Sequence, residues 1–225
     1  MNKFYVVATP IGNLEDITYR AVRILGEVDL ILCEDTRVTK NLLDKYGIHK
    51  PTMSYHAQSK ISKADKIIEL LNEGKNLALV SDAGTPTISD PGSLLVSQIK
   101  QACPDVEIIT IPGPSAITSA LSISGLSVAE FTFLGFLPHK KGRETLFKEI
   151  ASSERVMSFY ESPHRIMKTL ASLEKFMPER KIIIARELTK IFEQIVSGTP
   201  AEVSKYFTDN KDKVRGEFVV IVAPK

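Results

Sequence analysis

The sequence predicts a two-domain α/β protein, with a mostly parallel sheet in the N-terminal domain and a mixed sheet in the C-terminal domain. Three observations carry this. Short apolar runs alternate with helix-period segments through the first 125 residues, the pattern of a parallel sheet covered on both faces. After Gly125 the spacing changes, and several apolar runs follow one another closely enough to pair antiparallel. Tight Gly- and Pro-containing loops follow the apolar runs of the first half. The boundary is therefore placed near Gly125, giving domains 1–125 and 126–225.

The elements follow in order. Phe4–Thr9 (FYVVAT) reads as a buried strand. ITYRAVRILGEV places apolar residues at 17, 21, 22, 24 and 25, one face of a helix. Asp29–Asp35 (DLILCED) is a second strand, and TRVTKNLLDKYG a helix stopped by Gly47. TMSY is a short strand, KADKIIELLNEG a helix ending at Gly74, and NLALV a strand. GSLLVSQIKQA, VEIITI and PSAITSALSISG read as helix, strand and helix, with Asp90 in DPGS as a helix cap. In the second half FTFLGFLP and RVMSFYE are strands around the helix GRETLFKEIA. PHRIMKTLASLEKF is a helix with Pro163 in its first turn. KIIIARE, FEQIVSG and GEFVVIVA are strands, with a short helix at PAEVSKYF. FEQIVSG and EFVVIVA look suited to antiparallel pairing.

Composition limits the function. The chain has 225 residues, 43% of them hydrophobic and 25% charged, as in an ordinary globular protein. Net charge is +2, too small to announce a nucleic-acid binder. It is unevenly spread: from Pro138 onward 17 Lys and Arg face 12 Asp and Glu, whereas the first 137 residues hold 12 against 15. A basic second half favours an anionic partner. Cys33 and Cys103 are too few for a disulfide framework and fit a reducing, cytoplasmic setting. No signal peptide and no run of about 18 apolar residues is present, so no membrane role is expected. His49, His56, His139 and His164 lack metal-ligand spacing, and no metal is expected.

Three loops leave the C-terminal ends of first-half strands: TPIGN, SDAGTP and IPGPSA. In open α/β sheets, ligands bind in the crevice outside those ends. Gly84 permits positive φ or close approach, and Pro86, Pro112 and Pro114 stiffen the loops. Asp82 is placed to accept hydrogen bonds from a ligand's hydroxyl or amine groups. There is no G-x-G-x-x-G, P-loop or G-x-S-x-G motif. The pattern favours a ligand held by backbone groups and stiff turns.

Taken in order, VVATPIGNLEDIT, EDTR, LVSDAGTPTISDPG, IPGPSA, GFLP, FYESPHR, ARELTK and GEFVVIV resemble the ribosomal RNA small-subunit methyltransferase I family of the tetrapyrrole-methylase superfamily. The resemblance covers nearly the whole chain. SDAGTP with FYESPHR and ARELTK is highly specific; PGPSA alone is shared more widely. It implies a two-domain tetrapyrrole-methylase-like fold with S-adenosylmethionine bound between the domains. It implies methylation of the 2′-hydroxyl of a cytidine in the decoding region of small-subunit ribosomal RNA, by a homodimer. A tetrapyrrole methyltransferase would share the donor loops but not EDTR or FYESPHR. A non-catalytic ribosome-assembly factor would keep the fold without binding the donor.

Motif matching carries the donor site onto Pro10, Ser81, Asp82, Thr85, Ser115 and Ala116, and less directly onto Tyr160 and Leu188. Small residues at 115 and 116 leave room for an adenosine. Arg37, Lys140, Lys141, Arg143, His164 and Arg165 are the expected RNA contacts, with PHKKGR as a basic loop able to follow a phosphate backbone. The small overall charge favours an assembled small subunit over naked RNA as substrate. Glu34, Asp35, Glu161 and Glu187 are candidates for a base removing the hydroxyl proton, and no spacing selects among them. The chain departs from the family after His56, a possible substrate contact: where the family carries His-Asn-Glu, this sequence has Gln58, Ser59 and Lys60.

Overall fold

The computed structural model describes residues 2–56, 61–90 and 92–225. The chain divides into two compact units, Met1–Ser115 and Ala116–Lys225.

The first unit is an all-parallel sheet of β1 (Lys3–Val7), β2 (Leu30–Cys33), β3 (Thr52–Ser54), β4 (Leu77–Leu79) and β5 (Glu107–Ile111). Their order across the sheet is β3-β2-β4-β1-β5. Each strand before β5 is followed by a helical crossover to the next, and successive side chains enter opposite faces. Ile31, Cys33, Ala78 and Val80 pack with α1 (Tyr19–Glu27) and α2 (Thr36–Lys45). Leu32, Leu77 and Leu79 pack on the other face with α3 (Ile61–Asn72) and α4 (Ser93–Ala102). Thr18 caps α1 by accepting a 3.1 Å hydrogen bond from the Ala21 amide. Asp35 caps α2 through the Arg37 amide at 2.8 Å. Gly92, with no side chain to offer, precedes α4; Asp90 does not cap it.

The second unit begins with α5 (Ala116–Ser122). The division falls nearer the N-terminus than Gly125 because α5 packs on a strand of this unit, β10 (Phe218–Val222). The other strands are β6 (Phe131–Phe136), β7 (Val156–Glu161), β8 (Ile182–Arg186) and β9 (Gln194–Gly198). The sheet is mixed, in the order β6-β7-β10-β8-β9, with only β6 and β7 parallel. FEQIVSG and EFVVIVA both pair antiparallel, as their sequences suggest, though with other strands rather than with each other. β9 turns back on β8, and β10 inserts between β7 and β8, where its five apolar residues are all buried. One face is covered by α6 (Arg143–Ser152), α7 (Ile166–Phe176) and α8 (Pro200–Asp209) through Phe147, Ile150, Leu170, Leu173, Val203 and Phe207. Pro163 lies in the turn before α7, which starts at Ile166.

Candidate functional site

Because β2, β4, β1 and β5 are adjacent and parallel, the loops leaving their C-terminal ends emerge side by side. Hydrogen bonds stitch three of them together. The Thr9 and Gly84 backbones pair in both directions, at 2.9 and 3.0 Å. The Thr9 hydroxyl donates to the Ser81 carbonyl at 3.0 Å, and the Ser81 hydroxyl donates to the Gly84 carbonyl at 3.2 Å. The Thr85 hydroxyl donates to the Pro114 carbonyl at 3.2 Å, tying the acidic loop to PGPSA. Gly113 passes Ala8 so closely that an added Cβ would lie 3.0 Å from the Ala8 Cβ. Gly84 sits at φ +85°, which an L side chain rarely adopts. Beside this rim lies a hollow lined by Thr9, Pro10, Leu14, Val38, Ser81 and Asp82.

The electrostatics of the rim are acidic. Asp82 is exposed, and its Oδ1 accepts a 3.0 Å hydrogen bond from the Asp35 amide. Asp35 is held down to about 2 by the Arg37 side chain, whose Nη2 lies 2.6 Å from Oδ2, and by the Arg37 amide. Glu34 moves the other way: burial first, then the charges of Asp90 and Asp82, push its carboxyl up to about 7. Asp90 rises to about 6 through burial, opposed by a hydrogen bond with Ser81 and assisted by Asp82. Asp90 therefore belongs to the acidic rim rather than to a helix end. A rim holding Glu34, Asp35, Asp82 and Asp90 suits a ligand with positive charge. Stiff backbone loops and an acidic lining fit a sulfonium donor, which also carries an ammonium group.

Two loops store backbone strain. Among the described residues, the non-glycine residues with positive φ are Thr87 (75°), Ser89 (65°), Glu187 (51°) and Thr189 (64°). All lie in the acidic loop or in ARELTK. A β-branched threonine in this region is an outlier that surrounding contacts must hold in place.

The other expected site residues are distributed as follows. Ser115 closes the first unit and Ala116 opens α5; both are half-buried. In the second unit Tyr160 stacks edge-on against Phe133 and Phe136, with ring centroids 4.9 and 5.5 Å away. Leu188 is buried between the two strained residues of ARELTK. Lys140, Lys141 and His164 are exposed, as is Arg37 in the first unit. Arg143 is not: it is 8% exposed, donating to the Pro138 carbonyl and to Thr169. The first turn of α6 directs it inward, and its charge is taken up inside the unit. Arg165 is largely committed as well, to Glu161 and the Leu137 carbonyl. His56 is exposed, and Gln58, Ser59 and Lys60 lie outside the described residues.

Of the four carboxyls considered as bases, Glu161 is fully buried in an ion pair with Arg165, and Asp35 is bound to Arg37. Burial raises Glu187, but hydrogen bonds from the Glu217 amide and Lys190 outweigh it and leave the carboxyl lowered. Only Glu34 is shifted toward neutral pH. No group of metal-ligating side chains occurs among the described residues.

The family model for Tetrapyrrole (Corrin/Porphyrin) Methylases matches residues 3–204. The chain is 45% identical over 225 residues to Ribosomal RNA small subunit methyltransferase I of Thermotoga maritima, covering 100% of both chains. It is 44% identical over 223 residues to the Bacillus subtilis protein of the same name, covering 99% of this chain and 75% of that one. Among solved structures, the methyltransferase CobJ superposes with a TM-score of 0.72 at 20% identity, covering 100% of this chain and 95% of that one. The cobalt precorrin-4 methyltransferase CbiF gives 0.70 at 16%, covering 98% and 94%. These two likenesses speak to the fold alone.

Proposed function

Since this chain belongs to the tetrapyrrole methylase family, and to the ribosomal RNA small subunit methyltransferase I family within it, we propose that it methylates small-subunit ribosomal RNA at the ribose 2′-oxygen of a cytidine in the decoding region. It is a methyltransferase that uses S-adenosylmethionine. The observation that carries the substrate reading is the 45% identity running the full length of both this chain and the Thermotoga maritima protein.

S-adenosylmethionine, when bound, supplies a methyl group activated by a positively charged sulfur. The residues proposed to hold it are Pro10, Ser81, Asp82 and Thr85 on the stitched rim, Ser115 and Ala116 beyond PGP, and Tyr160 and Leu188 in the second unit. Asp82 offers a carboxylate to the donor's hydroxyl or amine groups, and the surrounding acids favour its positive charge. The stitched loops fix these groups before the ligand arrives, which lowers the ordering cost of binding. Fixing donor and ribose in line supplies much of the rate enhancement. Glu34, whose carboxyl titrates at about 7, is the carboxyl best matched to accept a hydroxyl proton near neutral pH. Lys140, Lys141, His164 and Arg37 are proposed to meet phosphates; Arg143 is omitted because it is buried. We also propose a cytoplasmic homodimer acting on the assembled subunit. Two free cysteines fit that compartment.

The reading is tested by offering the purified chain labelled donor with either small subunits lacking the modification or a precorrin. Label in the subunit RNA alone is expected. Label in the precorrin alone would replace this substrate with a tetrapyrrole.

A further inference from the structure

The buried end of β7 is organised around one carboxylate. The Glu161 side chain is 0% exposed. Its Oε1 accepts from Arg165 Nε at 2.7 Å and from the Ser162 amide at 2.8 Å. Its Oε2 accepts from the Thr169 hydroxyl at 2.6 Å. Thr169 in turn accepts from Arg143 Nη2 at 2.7 Å, which stands 4.0 Å from the same carboxylate oxygen. Two guanidiniums thus share one buried negative charge, directly or through one hydroxyl.

Each guanidinium has a second task. Arg165 Nη2 donates to the Leu137 carbonyl at 2.9 Å, and Arg143 Nη1 donates to the Pro138 carbonyl at 3.2 Å. These are consecutive carbonyls, just beyond the last ladder pair of β6 with β7, Phe136 with Tyr160. β6 carries a register shift between Phe133 and Phe136, so its exit is bent away from a regular strand. From that exit runs the basic turn. The Arg143 amide donates to the Lys140 carbonyl at 3.2 Å, Gly142 takes φ +80°, and Lys140 and Lys141 stand exposed at the tip. The entry of the turn is therefore held by two guanidiniums whose charges Glu161 compensates, and one of them belongs to Arg143, the residue at the exit.

We propose that Glu161 is a positioning residue for RNA binding: through Arg143 and Arg165 it sets where the Lys140–Lys141 turn presents its charges to substrate phosphates. This rests on the reading of that turn as an RNA contact. Without the carboxylate, the buried Arg143 and the partly buried Arg165 would face each other uncompensated, and the arginines would leave the carbonyls they hold.

The charge balance makes the idea testable. Glu161→Gln keeps the shape and adds one positive charge to the region. Long-range attraction alone would then tighten RNA binding. Positioning predicts the reverse. The experiment compares Lys140→Ala/Lys141→Ala, Glu161→Gln and Thr169→Val in the full chain, reading KM and kcat on small subunits, donor affinity by calorimetry, and thermal melting. The lysine variant is expected to raise KM about tenfold and flatten its salt dependence, because two phosphate contacts are lost. Glu161→Gln is expected to raise KM about fivefold with kcat and donor affinity nearly unchanged, since contacts to phosphate position without entering the chemistry. Thr169→Val, neutral and similar in shape, is expected to do the same more weakly, and it carries the test if Glu161→Gln fails to fold. A folded variant with unchanged or lowered KM, or with a loss confined to kcat, overturns the proposal. An unchanged KM in the lysine variant instead overturns the RNA-contact reading beneath it.

Discussion

Asp82 stands at the exit of β4 with an exposed carboxylate that already accepts one amide hydrogen bond, from Asp35. Replacing it by alanine should remove a charge-assisted hydrogen bond to the donor worth about 1.5–3 kcal/mol, so calorimetry is expected to show donor affinity at least about tenfold weaker. Unchanged affinity would take Asp82 out of the site. Its neighbour Glu34 makes a different prediction. Its carboxyl keeps a proton up to about pH 7 in the fold, whereas its ordinary value is 4.5. The folded state binds that proton more tightly. Its stabilising contribution is thus full below the unfolded value and lost as pH rises through 7. Asp90, raised to about 6, acts in the same direction. Thermal melting from about pH 5 to 8 should therefore decline less steeply in Glu34→Gln than in the unaltered chain, and equal slopes would contradict the coupling. The placement of Asp82 at a strand exit is legible in the sequence because SDAGTP follows an apolar run. Its coupling to Glu34 is not, since nothing local says that β2 lies beside β4. Arg143 escapes sequence reading for a similar reason. KKGR looks like one basic run, but the start of α6 separates its exposed lysines from its buried arginine.

At the scale of elements, the rim depends on close passage between the β1 and β5 loops. Gly113→Val should force Ala8 away, since even a Cβ would sit 3.0 Å from the Ala8 Cβ. Overpacking of this kind costs about 1–3 kcal/mol. The expected outcome is a lower denaturation midpoint together with weakened donor binding; full donor affinity would show that the rim tolerates the shift. The alternation of strand and helix in the first unit was readable because a doubly covered parallel sheet makes short, apolar strands with separate helical crossovers between them. The order of the second sheet was not. FEQIVSG and EFVVIVA both suit antiparallel pairing, yet a chain can pair with an earlier strand, and the wholly apolar β10 gains more from the sheet centre than from its edge. Local signals also misplaced two helix starts. Pro163 precedes α7 rather than opening it, and Gly92 takes the position expected of Asp90.

For the whole molecule, two proposals concern assembly. If the chain is a homodimer, sedimentation at micromolar concentration should give twice the 24.9 kDa chain mass; particles of the single mass would refute it. If the substrate is the assembled subunit, methylation of purified subunits should outpace that of protein-free RNA at equal concentration. A turn meeting few phosphates gains most from a target already held in place. Equal rates, or faster reaction on the naked RNA, would remove that preference and leave the methyl transfer itself untouched. The central claim is the transfer of a methyl group to a ribose of small-subunit RNA. Its most direct measurement places the label. After reaction with labelled S-adenosylmethionine, subunit RNA is digested and the modified nucleotide mapped, with alkaline cleavage as the second readout. The account predicts label at one cytidine of the decoding region and resistance of the adjoining phosphodiester to alkali, because the 2′-oxygen is blocked. Label on a base, with that bond still cleaved by alkali, would contradict it.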